Sequence, residues 1–140
     1  MKLNLIILIL LLFSSSVYAQ SVDSVKSIRY TSGTRGGLIK VEVTEDRMTY
    51  KETGFNQIED EFEISQEDWL KFQKIIQSID LAELHTLKSP TDIRAFDGAW
   101  YTWIEIETED DTYKSQDFDR GRPMKEIEPL VNLIRAYFPK

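Results

Sequence analysis

Val41–Lys51 reads VEVTEDRMTYK, and Ile104–Lys114 reads IEIETEDDTYK. Each segment alternates apolar and polar residues, passes through an acidic stretch, and resumes in a second short run ending in Thr-Tyr-Lys. Alternation with period two belongs to a strand with one buried face, and the acidic interruption is a turn, so each segment predicts a β-hairpin. Glu42/Glu105, Thr49/Thr112, Tyr50/Tyr113 and Lys51/Lys114 coincide when the two are laid over each other. An internal duplication is therefore expected.

A helical pattern follows each hairpin. Trp69, Phe72, Ile75, Ile76 and Ile79 form one apolar stripe, and Met124, Ile127, Leu130, Val131 and Ile134 form another at the same spacing. Ser65, three residues before Asp68, supplies a helix-capping start. Pro129 falls inside the second stripe, so that helix either kinks there or begins near it. The first half carries an extra stretch from about Gly54 to Glu61, with Phe62 and Ile64 suited to a further strand. Val25–Thr31 is an additional strand ahead of the first hairpin, and Ser32–Gly37 is a glycine-rich turn.

The fold class predicted is α+β: an antiparallel sheet of about five to six strands with two helices on one face, arranged as two hairpin-helix repeats at about 20–87 and 99–140. Strand parity directs Ile28, Tyr30, Ile39, Val41, Val43, Ile104 and Ile106 inward, and Arg29, Lys40, Glu42, Glu105 and Glu107 outward.

The first nineteen residues differ in composition from the rest. Lys2 precedes the apolar run Leu3–Phe13, and Ser14–Ala19 closes on Val-Tyr-Ala, the small-residue pattern of a signal peptidase site. The run is well short of the roughly 20 apolar residues a spanning helix needs. A signal peptide over 1–19, cleavage after Ala19 and one domain over 20–140 are expected, with no membrane span after cleavage. The product would be periplasmic or extracellular. The chain contains no cysteine, so the domain must stand without disulfides. Its net charge of −7 opposes nucleic-acid binding, which needs a basic face.

Several chemistries lack their residues. The single histidine, His85, rules out sites needing two imidazoles, and the absence of cysteine removes thiolate nucleophiles and zinc knuckles. No phosphate-binding loop, dinucleotide fingerprint or Gly-x-Ser-x-Gly elbow is present. The runs Glu59-Asp60-Glu61 and Glu109-Asp110-Asp111 lack the ligand ladder of a calcium loop and read as solvated turns. No metal and no cofactor are expected.

Three groups of residues remain. In Ser32–Gly37, Arg35 sits among three glycines, a composition that suits either a tight turn or an anion-binding nest. The second group joins Arg94-Ala95-Phe96-Asp97-Gly98-Ala99 to the segment Ser115–Pro123, which holds Phe118, Asp119, Arg120, Gly121 and Arg122. Here Phe96 and Phe118 are expected to anchor loops in the core. Asp119 is expected to cap the turn before Pro123, with Gly121 left-handed, and Asp97 and Gly98 to shape the connection. Arg94 would bridge Asp97 or Asp119, while Arg94, Arg120 and Arg122 together would form a positive spot. The third group is Trp100-Tyr101-Thr102-Trp103, whose parity sends Trp100 inward and Tyr101 and Trp103 onto the open sheet face.

The blocks SGTRGG at 32–37, RAFDGA at 94–99 and SQDFDRGRP at 115–123, in that order behind a signal-like leader, resemble those of a group of small secreted or lipid-anchored bacterial proteins of unknown function. The resemblance implies export and carries no activity onto any residue. Lipid-anchored members bear a cysteine after the leader, which this chain lacks.

The functional expectation is an exported, non-enzymatic binding module for a protein or glycan. It would work through Tyr101 and Trp103 or through Arg35, Arg94, Arg120 and Arg122. Competing readings are a small hydrolase or lyase using Arg94, Asp97 and Asp119, and a structural envelope protein that self-associates along a strand edge. Mass spectrometry of the exported protein is expected to give an N-terminus at Gln20; a chain that retains Met1 would remove the export assignment.

Overall fold

The computed structural model describes residues 24–140. The leader and the cleavage point expected after Ala19 lie outside the described residues. Strands β1 (Val25–Thr34), β2 (Gly37–Val43), β3 (Arg47–Thr53) and β4 (Ile58–Glu63) precede helix α1 (Gln66–Gln77). Two short 3₁₀ helices, Leu81–Thr86 and Ile93–Ala95, lead to β5 (Tyr101–Thr108), β6 (Thr112–Lys114) and β7 (Phe118–Asp119), and helix α2 (Glu128–Ala136) follows.

The strands form one antiparallel sheet in the order β4-β3-β2-β1-β5-β6, with β7 pairing the start of β5. It has seven strands rather than five or six. The strand beyond the expected six is β7, a pair of residues too short to show alternation; β4 is the further strand expected near Phe62, but it starts at Ile58, so the acidic run Glu59-Asp60-Glu61 is edge strand and not a solvated turn.

Both helices pack on one face. Ile28, Tyr30, Ile39, Val41, Val43, Ile104 and Ile106 point to that face and are buried with Trp69, Phe72 and Ile76 of α1 and Leu130, Val131 and Ile134 of α2. The apolar stripes and the inward parity thus meet in a single core, whose burial is the main force holding the layers together. The Ser65 hydroxyl caps α1, accepting the Asp68 N–H at 3.1 Å. Helix α2 begins at Glu128 with Pro129 in its first turn, where a missing N–H costs nothing. Met124 and Ile127 are nevertheless buried, held by the turns that lead into the helix.

At the rim of the core Phe138 packs edge-on against Tyr30 and Tyr50, at centroid distances of 5.6 and 5.1 Å. The Tyr50 hydroxyl donates to Glu52 at 2.8 Å. Burial first, and the Glu52 carboxylate second, push its pKa up to about 12.

The two segments with matching sequence are not structurally equivalent. In the first hairpin Tyr50 lies opposite Val41; in the second, Tyr113 lies opposite Ile106, not opposite Ile104, the residue that corresponds to Val41. The registers therefore differ by two residues. Moreover β2 and β5 flank β1 in the same direction, and their hairpins extend from it to opposite sides. Seen from the helix layer the two hairpins are mirror images, and no rotation that keeps the helices on one face superposes them. The shared Thr-Tyr-Lys gives each of these two strands a tyrosine flanked by polar residues, but at a different register.

The paired Phe-Asp motifs also part company. Phe118 is fully buried, whereas Phe96 is 74% exposed. Phe118 sits on a strand facing the core. Phe96 follows the short Ile93–Ala95 turn, whose neighbouring loops leave its ring in solvent. Phe72→Ala is expected to lower unfolding free energy by about 3–5 kcal/mol, while Phe96→Ala changes it by less than about 0.5 kcal/mol, both measured by chemical denaturation. A large loss at Phe96 would contradict its placement.

Candidate functional site

Asp119 organises the loop end of the molecule. It is almost fully buried, and its carboxylate accepts the Ile93 N–H at 2.8 Å, the Arg94 N–H at 2.6 Å and the Thr91 hydroxyl. Arg94 adds a charge at 3.7 Å and donates to the Thr91 carbonyl at 2.7 Å. Burial alone would raise the Asp119 pKa. The Thr91 hydroxyl, the two backbone donors and the Arg94 charge outweigh it and hold the carboxyl below its ordinary range. Asp119 therefore caps the turn Ile93–Ala95 across the molecule, rather than the turn before Pro123 in its own loop. Gly121 is left-handed, as expected, with φ of 80°, and so is Gly98.

The arginines do not gather into one positive spot. Arg35 pairs with Asp97 at 3.0 Å, both well exposed. Arg94 is engaged by Asp92, Asp119 and Thr91. The Arg120 guanidinium lies over the Trp100 ring at 4.3 Å. Arg122 is exposed, with its backbone N–H bound to the Asp119 carbonyl at 2.8 Å. Arg94, Asp97 and Asp119 do not form one cluster: Asp97 pairs with Arg35, and Asp119 is buried, with both carboxylate oxygens accepting hydrogen bonds from its own chain.

The glycines of Ser32–Gly37 do not build a nest. Left-handed glycine in the described chain occurs at Gly54, Gly98 and Gly121 only, and an anion nest needs such a residue. Gly36 and Gly37 instead lie under the Phe55 ring, where an added Cβ would meet it at 2.6 and 2.9 Å. Phe55 itself is 70% exposed and neighbours Trp100 at 6.5 Å.

Tyr101 and Trp103 lie where parity sent them, on the face away from the helices. Their rings are parallel to within 5° at 5.8 Å, and the Lys114 ammonium sits 4.6 Å from the Trp103 centroid. Gly33 pairs with Tyr101 and gives its ring room, since an added Cβ would stand 3.1 Å from the Tyr101 hydroxyl. Thr31 pairs with Trp103 and is only 7% exposed although it belongs to the open face. Beside the rings lies a shallow depression of about 430 Å³, lined by Trp103, Thr31, Lys40, Lys51, Arg29 and Glu42 among others. Parity places the aromatics and Lys40 on this face but does not bring Gly33, Lys40, Lys51 or Lys114 beside the rings. Cross-strand register, which brings them together, was the signal needed.

Trp100 has a different position, half-buried against the core rim under Arg120. Among the described residues no helix is long and apolar enough to cross a membrane. Neither a scan against protein-family models nor a search of curated proteins found a match to this chain.

Asp119→Ala is expected to destabilise the fold by about 2–3 kcal/mol, because it removes a buried carboxylate that holds two backbone donors and a hydroxyl. The sign of its pH dependence follows from its lowered pKa: the stabilisation is complete above the ordinary carboxylate range and is lost as pH falls through the native value. Acid unfolding curves of wild type and Asp119→Asn should converge at low pH. Curves that stay parallel throughout would show that the carboxylate contributes nothing.

Proposed function

We propose that this protein is an exported binding module without catalytic activity, and that its working surface is the open sheet face around Tyr101 and Trp103. The observation that carries this reading is the parallel aromatic pair beside a depression on a sheet face that none of the described elements covers. Large side chains on an uncovered sheet face are exposed at a cost in hydration, and such patches mark interaction sites. Export is supported by the leader, and membership in the group of small secreted bacterial proteins by the three sequence blocks.

The loop-based alternatives lose support from their own geometry. A catalytic acid must reach substrate, and Asp119 is sealed by its donors. Arg35 and Arg94 are already paired. Self-association through β4 would bring its row of Glu59, Asp60, Glu61 and Glu63 against an identical row, which charge repulsion opposes.

Affinity capture from envelope extract tests the reading. Wild type is expected to retain a component that the double variant Tyr101→Ala/Trp103→Ala loses, with both proteins giving the same circular dichroism spectrum. If the two capture the same material, the sheet face is not the working surface.

A further inference from the structure

Resting on the reading of the open face as the working surface, we infer that its ligand is an acidic saccharide of the uronate type, lying across β5, β1, β2 and β3. The rings of Tyr101 and Trp103 would take the sugar faces, and Lys40 and Lys51 the carboxylate.

Register lays the face out in rows. One row runs Trp103, Thr31, Lys40, Lys51, Glu59; the row next to it, toward the loop end, runs Tyr101, Gly33, Leu38, Thr53. The second row carries no charge and has a glycine at its centre, so it forms a flat track beside the aromatic pair. Lys40 and Lys51 are direct cross-strand partners. Like charges opposite each other destabilise a sheet, and here they occur in a chain of net charge −7. Lys51 has a partner in Glu59 at 3.7 Å, whereas Lys40 makes no ion pair with the described residues. The nearby Glu42 is held by Arg29 at 3.3 Å. A ligand anion at the lysine pair would relieve the repulsion, and it would find an aromatic wall at the other end of the same row.

Backbone chemistry separates a sugar from a peptide. β1, β2 and β3 are each paired on both sides, so their N–H and C=O groups are taken by neighbouring strands. An extended peptide laid on this face gains no ladder hydrogen bonds, which is what strand addition at an edge supplies. Side chains alone must recognise the occupant. The depression offers the Trp103 ring, the hydroxyls of Thr31 and Thr49, the ammonium groups of Lys40 and Lys51, the Arg29 guanidinium and the carboxylates of Glu42 and Glu105; Arg29 offsets Glu42, and the lysine pair is the part of the set suited to a ligand rich in hydroxyls with an occasional carboxylate.

The test is titration of the purified protein with oligogalacturonate, with its methyl-esterified form and with poly-L-glutamate, followed by tryptophan fluorescence. The acid sugar is expected to bind and to weaken with added salt, while methyl esterification or Lys40→Met/Lys51→Met weakens it at least about tenfold. Gly33→Val, which crowds Tyr101, should weaken it too, and the melting temperature checks that each variant is folded. Equal binding of the methyl ester, or binding of polyglutamate in place of the sugar, overturns the ligand class. If oligogalacturonate fails while Tyr101→Ala/Trp103→Ala still abolishes envelope capture, the saccharide assignment is wrong and the working face stands. If the double variant captures normally as well, both fall.

Discussion

The pairing of β1 with β5 is the contact on which the rest of the molecule depends. It runs from Val25 opposite Thr108 to Gly33 opposite Tyr101, and it is the ladder that joins the β4-β3-β2-β1 meander to β5, β6 and β7. The partners are far apart in sequence, so the loop-closure cost of bringing them together is substantial. The gain is that Ile28, Tyr30, Ile104 and Ile106 fall side by side on the inner face, under the helices. The same ladder sets the outer face, because fixing one parity fixes the other.

The Asp119 clamp serves that ladder. The connection between α1 and β5 has little regular structure beyond its two 3₁₀ turns. Its backbone donors at Ile93 and Arg94 are gathered onto one carboxylate carried by β7, which pairs with the first residues of β5. The Thr34 hydroxyl donates to the Gly98 carbonyl at 2.9 Å from the other side. The chain thus enters β5 in the register that places Tyr101 over Gly33 and Trp103 beside Thr31. Acid residues in this protein consequently have two distinct roles: a buried one that orients backbone, and a surface majority that carries net charge.

Much of this was legible along the chain. Alternation identified β2, β3 and β5 and assigned their faces, since side-chain direction in a strand follows from parity alone. Ser65, the apolar stripe from Trp69, and Pro129 as either a kink or a helix start were readable because capping and proline act within one turn; the helix starts there. The errors share a cause. Phe96 and Phe118 stand in similar local sequences, yet one is exposed and the other buried, because burial is decided by which distant element covers the ring. Matching letters suggest a repeat, while register is fixed by turn geometry and by β1. The glycines of Ser32–Gly37 have the composition of conformational residues; their role is to leave space for Phe55, which arrives from the β3–β4 loop, and for Tyr101, which arrives from β5.

The α+β class, the inward and outward faces of the main strands, and the lack of thiol and paired-imidazole chemistry can all be read along the chain. These depend on residue type and on periods of 2 and 3.6, which act over a few neighbouring positions. Tertiary structure alone decided that Asp119 closes a turn of the opposite loop, that the arginines are engaged separately, and that Trp103, Lys40 and Lys51 share one row of an open face. Each of those facts is a juxtaposition between strands, set by register and strand order, and no local pattern encodes which residues lie across a ladder from one another.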